Sequence, residues 1–247
     1  MAREDDRIGS RIACLRTDQL PASLISDAGY HCEVWRSSGS VLRDGERQML
    51  DRVIKVPRTR TPAREVEILH RDHRRLREAL GGIVPPTVFV RTRIDGEESV
   101  IAMAPNIRRW FDVANPSNEA DLAPMINRDP RLRDALAHFI TTAERWYRQE
   151  DRVLDLYGID NLVLDSNHHL HYIDSFGVFF HADLLTILPD PDPGLAERIR
   201  LSRMRLEYLN HLLEIAHDPN ENRDAESAGD TDGNAHHAGI EHRHRYR

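Results

Sequence analysis

The hydrophobic positions change their spacing along the chain, and each change predicts a different element. His31–Arg36 and Arg52–Val56 are short runs with strand character, set apart by Gly39, Asp44 and Gly45. Thr61-Pro62 reads as a helix start, with Thr61 at the N-cap and Pro62 in the first turn. Val66, Leu69, Leu76 and Leu80 then repeat at helical spacing until Gly81-Gly82. Thr87–Ile94 and Ser99–Ala104 are strand-like again, and Asp95-Gly96 between them predicts a two-residue hairpin turn. Pro105-Asn106 interrupts the pattern.

Beyond that break the periodicity is helical. Leu132, Leu136, Phe139, Ile140, Ala143 and Tyr147 form one stripe of a helix over about 131–149. Leu162–Leu164 and Leu170–Ile173 read as two short strands around the polar turn Asp165–His169. Leu195, Ile199, Leu206, Leu209 and Leu213 mark a last helix. The spacing therefore predicts an α+β chain in four parts: an arm over 1–23, a sheet-rich part over 24–104, a helical part over 105–217, and a polar, His-rich, disordered tail over 218–247.

Composition changes this picture in several ways. A formal charge of −7 disfavours a nucleic-acid binder that works by bulk electrostatics. The Arg-rich stretch from Arg52 to Arg77 is interleaved with acids and reads as a solvated helix face. Cys14 and Cys32 have no spacing that suggests a disulfide framework or a zinc site. No apolar run reaches membrane-spanning length and the charged N-terminus has no secretory pattern, so a cytoplasmic location is expected. The last change comes from lysine: of 34 basic residues one, Lys55, is a lysine, and it lies in the apolar strand Val53–Val56. A buried ammonium is costly unless an anion meets it, and arginine is no substitute where a compact charge on a flexible stem is needed.

Two further segments carry polar chemistry. Asp155-Leu156-Tyr157-Gly158-Ile159-Asp160-Asn161 leads directly into Leu162–Leu164, and Tyr172-Ile173-Asp174-Ser175-Phe176-Gly177 ends a strand on an acid. Asp174 follows Asn161 by 13 positions, an interval filled by a hairpin that returns both to one edge. His169 and His171 alternate onto one strand face while the turn leaves His168 in solvent; with no acid or cysteine at ligand spacing, no metal site is expected there. Trp35, Trp110 and Trp146 are expected in the core or between the two parts.

A lysine on a strand before a helix, a D…N loop before a hairpin, and a following D-S-F-G resemble the protein-kinase-like superfamily, in particular its small bacterial phosphotransferases of the aminoglycoside-kinase and lipopolysaccharide-core-kinase type. The resemblance implies a two-lobed fold, with a small sheet-rich N-lobe and a reduced helical C-lobe around a cleft for ATP and Mg²⁺. It implies that Lys55 contacts phosphates, that Asn161 and Asp174 hold Mg²⁺, and that Asp155 is the catalytic base. Asp72 is the expected helix partner of Lys55, and Met103 and Ala104 belong to the hinge over Met103–Asn106 that would meet adenine. The acceptor would be a small molecule, a lipid-linked sugar or a protein.

The sequence departs from that family's pattern at several places. Asp155 to Asn161 is six steps rather than five, Val153 replaces the loop histidine, and Ser175 intrudes in the third motif. There is no G-x-G-x-x-G, and no A-P-E follows Gly177. These departures support an alternative: a pseudokinase-like nucleotide-binding or scaffold protein without turnover.

Overall fold

The computed structural model describes residues 22–27, 31–59, 61–190 and 192–216. The expectations for the arm over 1–21, including Cys14, and for the tail beyond 216 lie outside them. The chain is α+β, with a five-stranded antiparallel sheet followed by helices and two smaller sheets.

The first sheet comprises β1 (Ala22–Ser26), β2 (Cys32–Arg43), β3 (Glu46–Pro57), β4 (Val88–Ile94) and β5 (Glu97–Pro105), in the order β1-β2-β3-β5-β4. The β2–β3 hairpin is much longer than the two apolar runs suggested. Gly39 lies inside β2, and the turn is Asp44-Gly45, both at positive φ (52° and 83°). Asp95-Gly96 repeats that geometry (52° and 85°) at the β4–β5 turn, as its sequence predicts. Both β3 and β4 are antiparallel to β5, hence parallel to each other, and α1 (Val66–Leu80) makes the crossover between them.

The start of α1 departs from expectation. A 3₁₀ turn over Ala63–Glu65 precedes it, closed by the Glu65 N–H on the Pro62 carbonyl at 2.9 Å, so Glu65 occupies the N-cap. Thr61 instead donates its hydroxyl to the Thr59 carbonyl at 3.4 Å and caps nothing. The apolar face is as predicted: Val66, Leu76 and Leu80 are buried, while Arg71, Arg74 and Arg77 face solvent.

The remainder consists of β6 (Arg109–Asp112), α2 (Glu119–Arg128), α3 (Pro130–Glu150), β7 (Arg152–Leu154), β8 (Leu162–Asp165), β9 (Leu170–Tyr172), β10 (Phe179–His181), the single turn α4 (Leu184–Ile187) and α5 (Pro193–Ile215). Asp129 caps α3 by accepting from the N–H groups of Arg131 and Leu132, and Pro130 occupies its first turn. Asp192-Pro193 repeats the device at α5. The largest apolar cluster joins Leu76 and Leu80 of α1 to Ile126 of α2, Phe139 of α3, Tyr172 of β9 and Leu209 of α5. Trp146 lies in it, whereas Trp110 is 50% exposed, against expectation; on the short strand β6 it stacks on His168 with centroids 5.4 Å apart. No helix among the described residues is long and apolar enough to cross a membrane.

Candidate functional site

Strand pairing brings the three chemistry-bearing segments together. β8 and β9 form a hairpin whose open end is extended by the Ile173 N–H donating to the Asn161 carbonyl at 2.8 Å. Asn161 and Asp174 therefore leave the same end of one hairpin. β7 pairs with β10, and the Asp155 N–H continues that ladder onto the Val178 carbonyl at 2.9 Å. Asp155 is thus the residue immediately after one strand, and Asn161 the residue immediately before the next.

The loop between them is held from several sides. Asn161 donates from Nδ2 to the Asp155 carbonyl at 3.1 Å, and the Tyr172 hydroxyl donates to the same oxygen at 3.0 Å. With Nδ2 committed to a carbonyl, Asn161 Oδ1 is the acceptor left on the amide. Gly158 makes room for it: a Cβ at 158 would stand 2.7 Å from Asn161 Oδ1. From α5, Ser202 Oγ accepts the Leu156 N–H at 3.1 Å, and the Arg205 guanidinium donates to the carbonyls of Leu156 and Tyr157. Asp160 points elsewhere, pairing with Arg109 at 2.9 Å.

Lys55 reaches this site from the first sheet. It is 8% exposed, and its Nζ donates to the Ile173 carbonyl at 2.6 Å. Asp174 Oδ1 lies 3.9 Å from Nζ, an ion pair too long to be a hydrogen bond. An ammonium has three N–H donors, and among the described residues one is used. Asp174 Oδ1 also accepts from the N–H groups of Ser175 (2.7 Å) and Phe176 (3.4 Å), so the backbone after the strand orients the carboxylate.

Asp155 is 3% exposed. Burial, reinforced by the negative charge of Asp174, pushes its carboxyl up to about 7, against the Tyr157 N–H that donates to Oδ1 at 2.7 Å. His31 stands close to Gly177, where a Cβ would lie 3.9 Å from its Nε2. Burial holds the His31 imidazole below the usual range, with Arg198 pushing the same way and Asp174 opposing. On the neighbouring strand the buried Cys32 thiol is raised by burial to about 11, which makes it an inert apolar side chain.

The other expected site residues are placed less centrally. Asp72 stays on α1 and pairs with Arg71 at 3.2 Å, and the carboxylate paired with Lys55 is Asp174. Met103 faces partners on both sides, Ile54 of β3 and Val88 of β4. The β4 pairing ends there, so Ala104 is paired on the β3 side alone. Asn106 closes the end of β5, donating its N–H and its Nδ2 to Asp51 at 3.0 and 3.1 Å. A separate cavity of about 630 Å³ is lined chiefly by arginines and glutamates of α1, α3 and β7, with Lys55, Asp155 and Asp174 outside its lining.

Sequence reasoning missed the supports of the loop: Gly158, Tyr172, Ser202 and Arg205. One signal was available. The positions Leu195, Ile199, Ser202, Leu206, Leu209 and Leu213 alternate spacings of four and three, so Ser202 interrupts an otherwise apolar stripe. A hydroxyl in such a position is a buried hydrogen bond waiting for its partner. Arg205 carries no comparable mark. No protein-family model matches the chain, and no curated protein matches it significantly.

Proposed function

We propose that the chain is a two-lobed, kinase-like phosphotransferase that binds ATP with Mg²⁺ and moves the γ-phosphoryl group to a hydroxyl acceptor. One observation carries this reading: Lys55, Asn161 and Asp174, from three separate segments, converge on one hairpin end, with a buried ammonium that among the described residues makes one hydrogen bond, to the Ile173 carbonyl.

The donor set fits the ligands. An amide oxygen and a carboxylate suit a hard divalent cation, so Asn161 Oδ1 and Asp174 would hold Mg²⁺, which would neutralise charge on the phosphates. Lys55 would donate to phosphate oxygens and position them. Asp155, with a carboxyl titrating near neutrality, would accept the hydroxyl proton of the acceptor in its ionised form. The half-paired backbone of Ala104 offers an edge to a planar base.

The second reading, nucleotide binding without turnover, is favoured by the burial of Asp155. The residue is 3% exposed and its carboxyl is bonded to the Tyr157 N–H, which withdraws it from an incoming acceptor.

Thermal unfolding with and without ATP and Mg²⁺ tests both. At about 100 times Kd the ligand stabilises by about 2.7 kcal/mol, a rise in Tm of roughly 5–10 °C. The rise is expected in the parent chain when both components are present and is lost in Lys55→Ala and Asp174→Asn. A parent Tm that ignores ATP and Mg²⁺ removes the nucleotide from both readings. Stabilisation without ATP consumption over a panel of hydroxyl acceptors selects the second.

A further inference from the structure

The turn between β8 and β9, at the far end of the hairpin from Asn161 and Asp174, gathers a second set of polar side chains. In the β8–β9 register Val163 faces His171 and Leu164 faces Leu170, and the Asp165 N–H donates to the His169 carbonyl at 3.0 Å. Asp165 is therefore opposite His169. Because side chains alternate at period two, Asp165, His169 and His171 share one face of the hairpin. Sequence spacing alone offered these two histidines no acidic partner; the hairpin register supplies Asp165.

The metal-ligating atoms of the three residues all lie within 4.8 Å of one another. Asp165 Oδ2 is 3.0 Å from His171 Nε2 and 3.5 Å from His169 Nδ1. Ligands at zinc–nitrogen and zinc–oxygen bond lengths in a tetrahedron stand roughly 3.3 Å apart, between those two separations. The other oxygen, Oδ1, accepts from the N–H groups of Asn167 (2.8 Å) and His169 (2.9 Å), which fixes the carboxylate plane and leaves Oδ2 toward the imidazoles.

We propose that Asp165, His169 and His171 form a binding site for a borderline divalent metal ion, with Zn²⁺ the best fit. Two imidazoles and one carboxylate select Zn²⁺ over Mg²⁺, which prefers oxygen ligands. Three protein ligands leave one tetrahedral position for water. Among the described residues, His171 Nδ1 is buried with no hydrogen-bond partner, so the usual bond that orients a ligating imidazole is missing there. The site is accordingly about 10–100-fold weaker than one that has it.

Calorimetric titration of the full chain with Zn²⁺ tests this, alongside His171→Ala and His169→Ala. Any zinc taken up by the histidines at 236, 237, 242 and 244 is common to all three proteins and cancels in the comparison. The parent is expected to take up one zinc per chain more than His171→Ala, and excess Mg²⁺ leaves that uptake unchanged. His169→Ala, whose side chain is 70% exposed and adds nothing to the core, weakens the same step at least about 10-fold. Equal zinc stoichiometry and affinity in the parent and in His169→Ala overturns the site, whatever the folding of the other variant.

Discussion

At the scale of single residues, the Asp155 carboxyl lies between a backbone N–H that favours its ionised form and a burial that opposes it, and burial wins. The folded protein then keeps a proton to about pH 7 that the unfolded chain releases near pH 4. Stability from this group is complete below pH 4 and is lost as pH rises to about 7. His73 works in the opposite sense. Burial, with Arg77, His70 and Lys55 nearby, lowers its imidazole to about 4, and its Nε2 accepts the Thr87 N–H at 3.2 Å. Between pH 4 and 6.5 that histidine makes stability rise with pH. The two slopes oppose each other, so the parent's own profile hides both. Asp155→Asn removes one and retains an acceptor for the Tyr157 N–H. Relative to the parent, Asp155→Asn is expected to gain on the order of a few kcal/mol between pH 4.5 and pH 8 in buffer with EDTA. Parallel Tm-against-pH curves for the two proteins would show that the buried carboxyl does not titrate in this range.

At the scale of elements, α5 is the brace of the loop over 155–161. Ser202 is 1% exposed and is the acceptor for the Leu156 N–H. Ser202→Ala leaves that buried donor unsatisfied and is expected to cost about 1–3 kcal/mol in urea unfolding. Glu207→Ala, on the exposed side of the same helix, stays within about 0.5 kcal/mol. If the two variants unfold at the same midpoint as the parent, Ser202 is not a brace. Sequence periodicity located α5 and its stripe, but not the loop beneath it, because which backbone N–H a buried hydroxyl meets depends on packing across 46 residues of chain. The same limit explains α1. Its apolar face was legible from spacing, while its first turn was not, since Thr61 turned to a local carbonyl instead of capping.

At the scale of the whole molecule, two contacts among those of the described residues stand out in tying the first sheet to the hairpin that carries Asn161 and Asp174. One is polar, from Lys55 to Ile173 and Asp174. The other is aromatic: Phe176 meets Phe89 of β4 edge-on at 6.1 Å, and Phe89 in turn meets His70 and His73 of α1 at 5.3 and 5.8 Å. Phe176 is buried with Cys32, Val66, Val100 and Ala102, all from the first sheet and the helix that crosses it. Phe176→Ala is expected to cost about 3–5 kcal/mol, by lost burial and the cavity left behind. Equilibrium unfolding followed by circular dichroism measures it, and a loss below about 1 kcal/mol would mean that the ring is not a structural tie.

Local rules, acting over a few residues, determined the helical stripes, the two Asp-Gly hairpin turns, the caps at Asp129 and Asp192, and the singular position of Lys55. Each depends on backbone preferences or on the period of an element, and both are written in neighbouring residues. Tertiary structure decided what those elements meet. It gave Lys55 the Ile173 carbonyl and Asp174 in place of Asp72, lengthened β2 and β3 through Gly39, and exposed Trp110. It also set Asp165 opposite His169, and closed the loop after Asp155 with Tyr172, Ser202 and Arg205. Those partners are distant in sequence, and their choice is set by strand register and by the competition of buried polar groups for the nearest donor or acceptor.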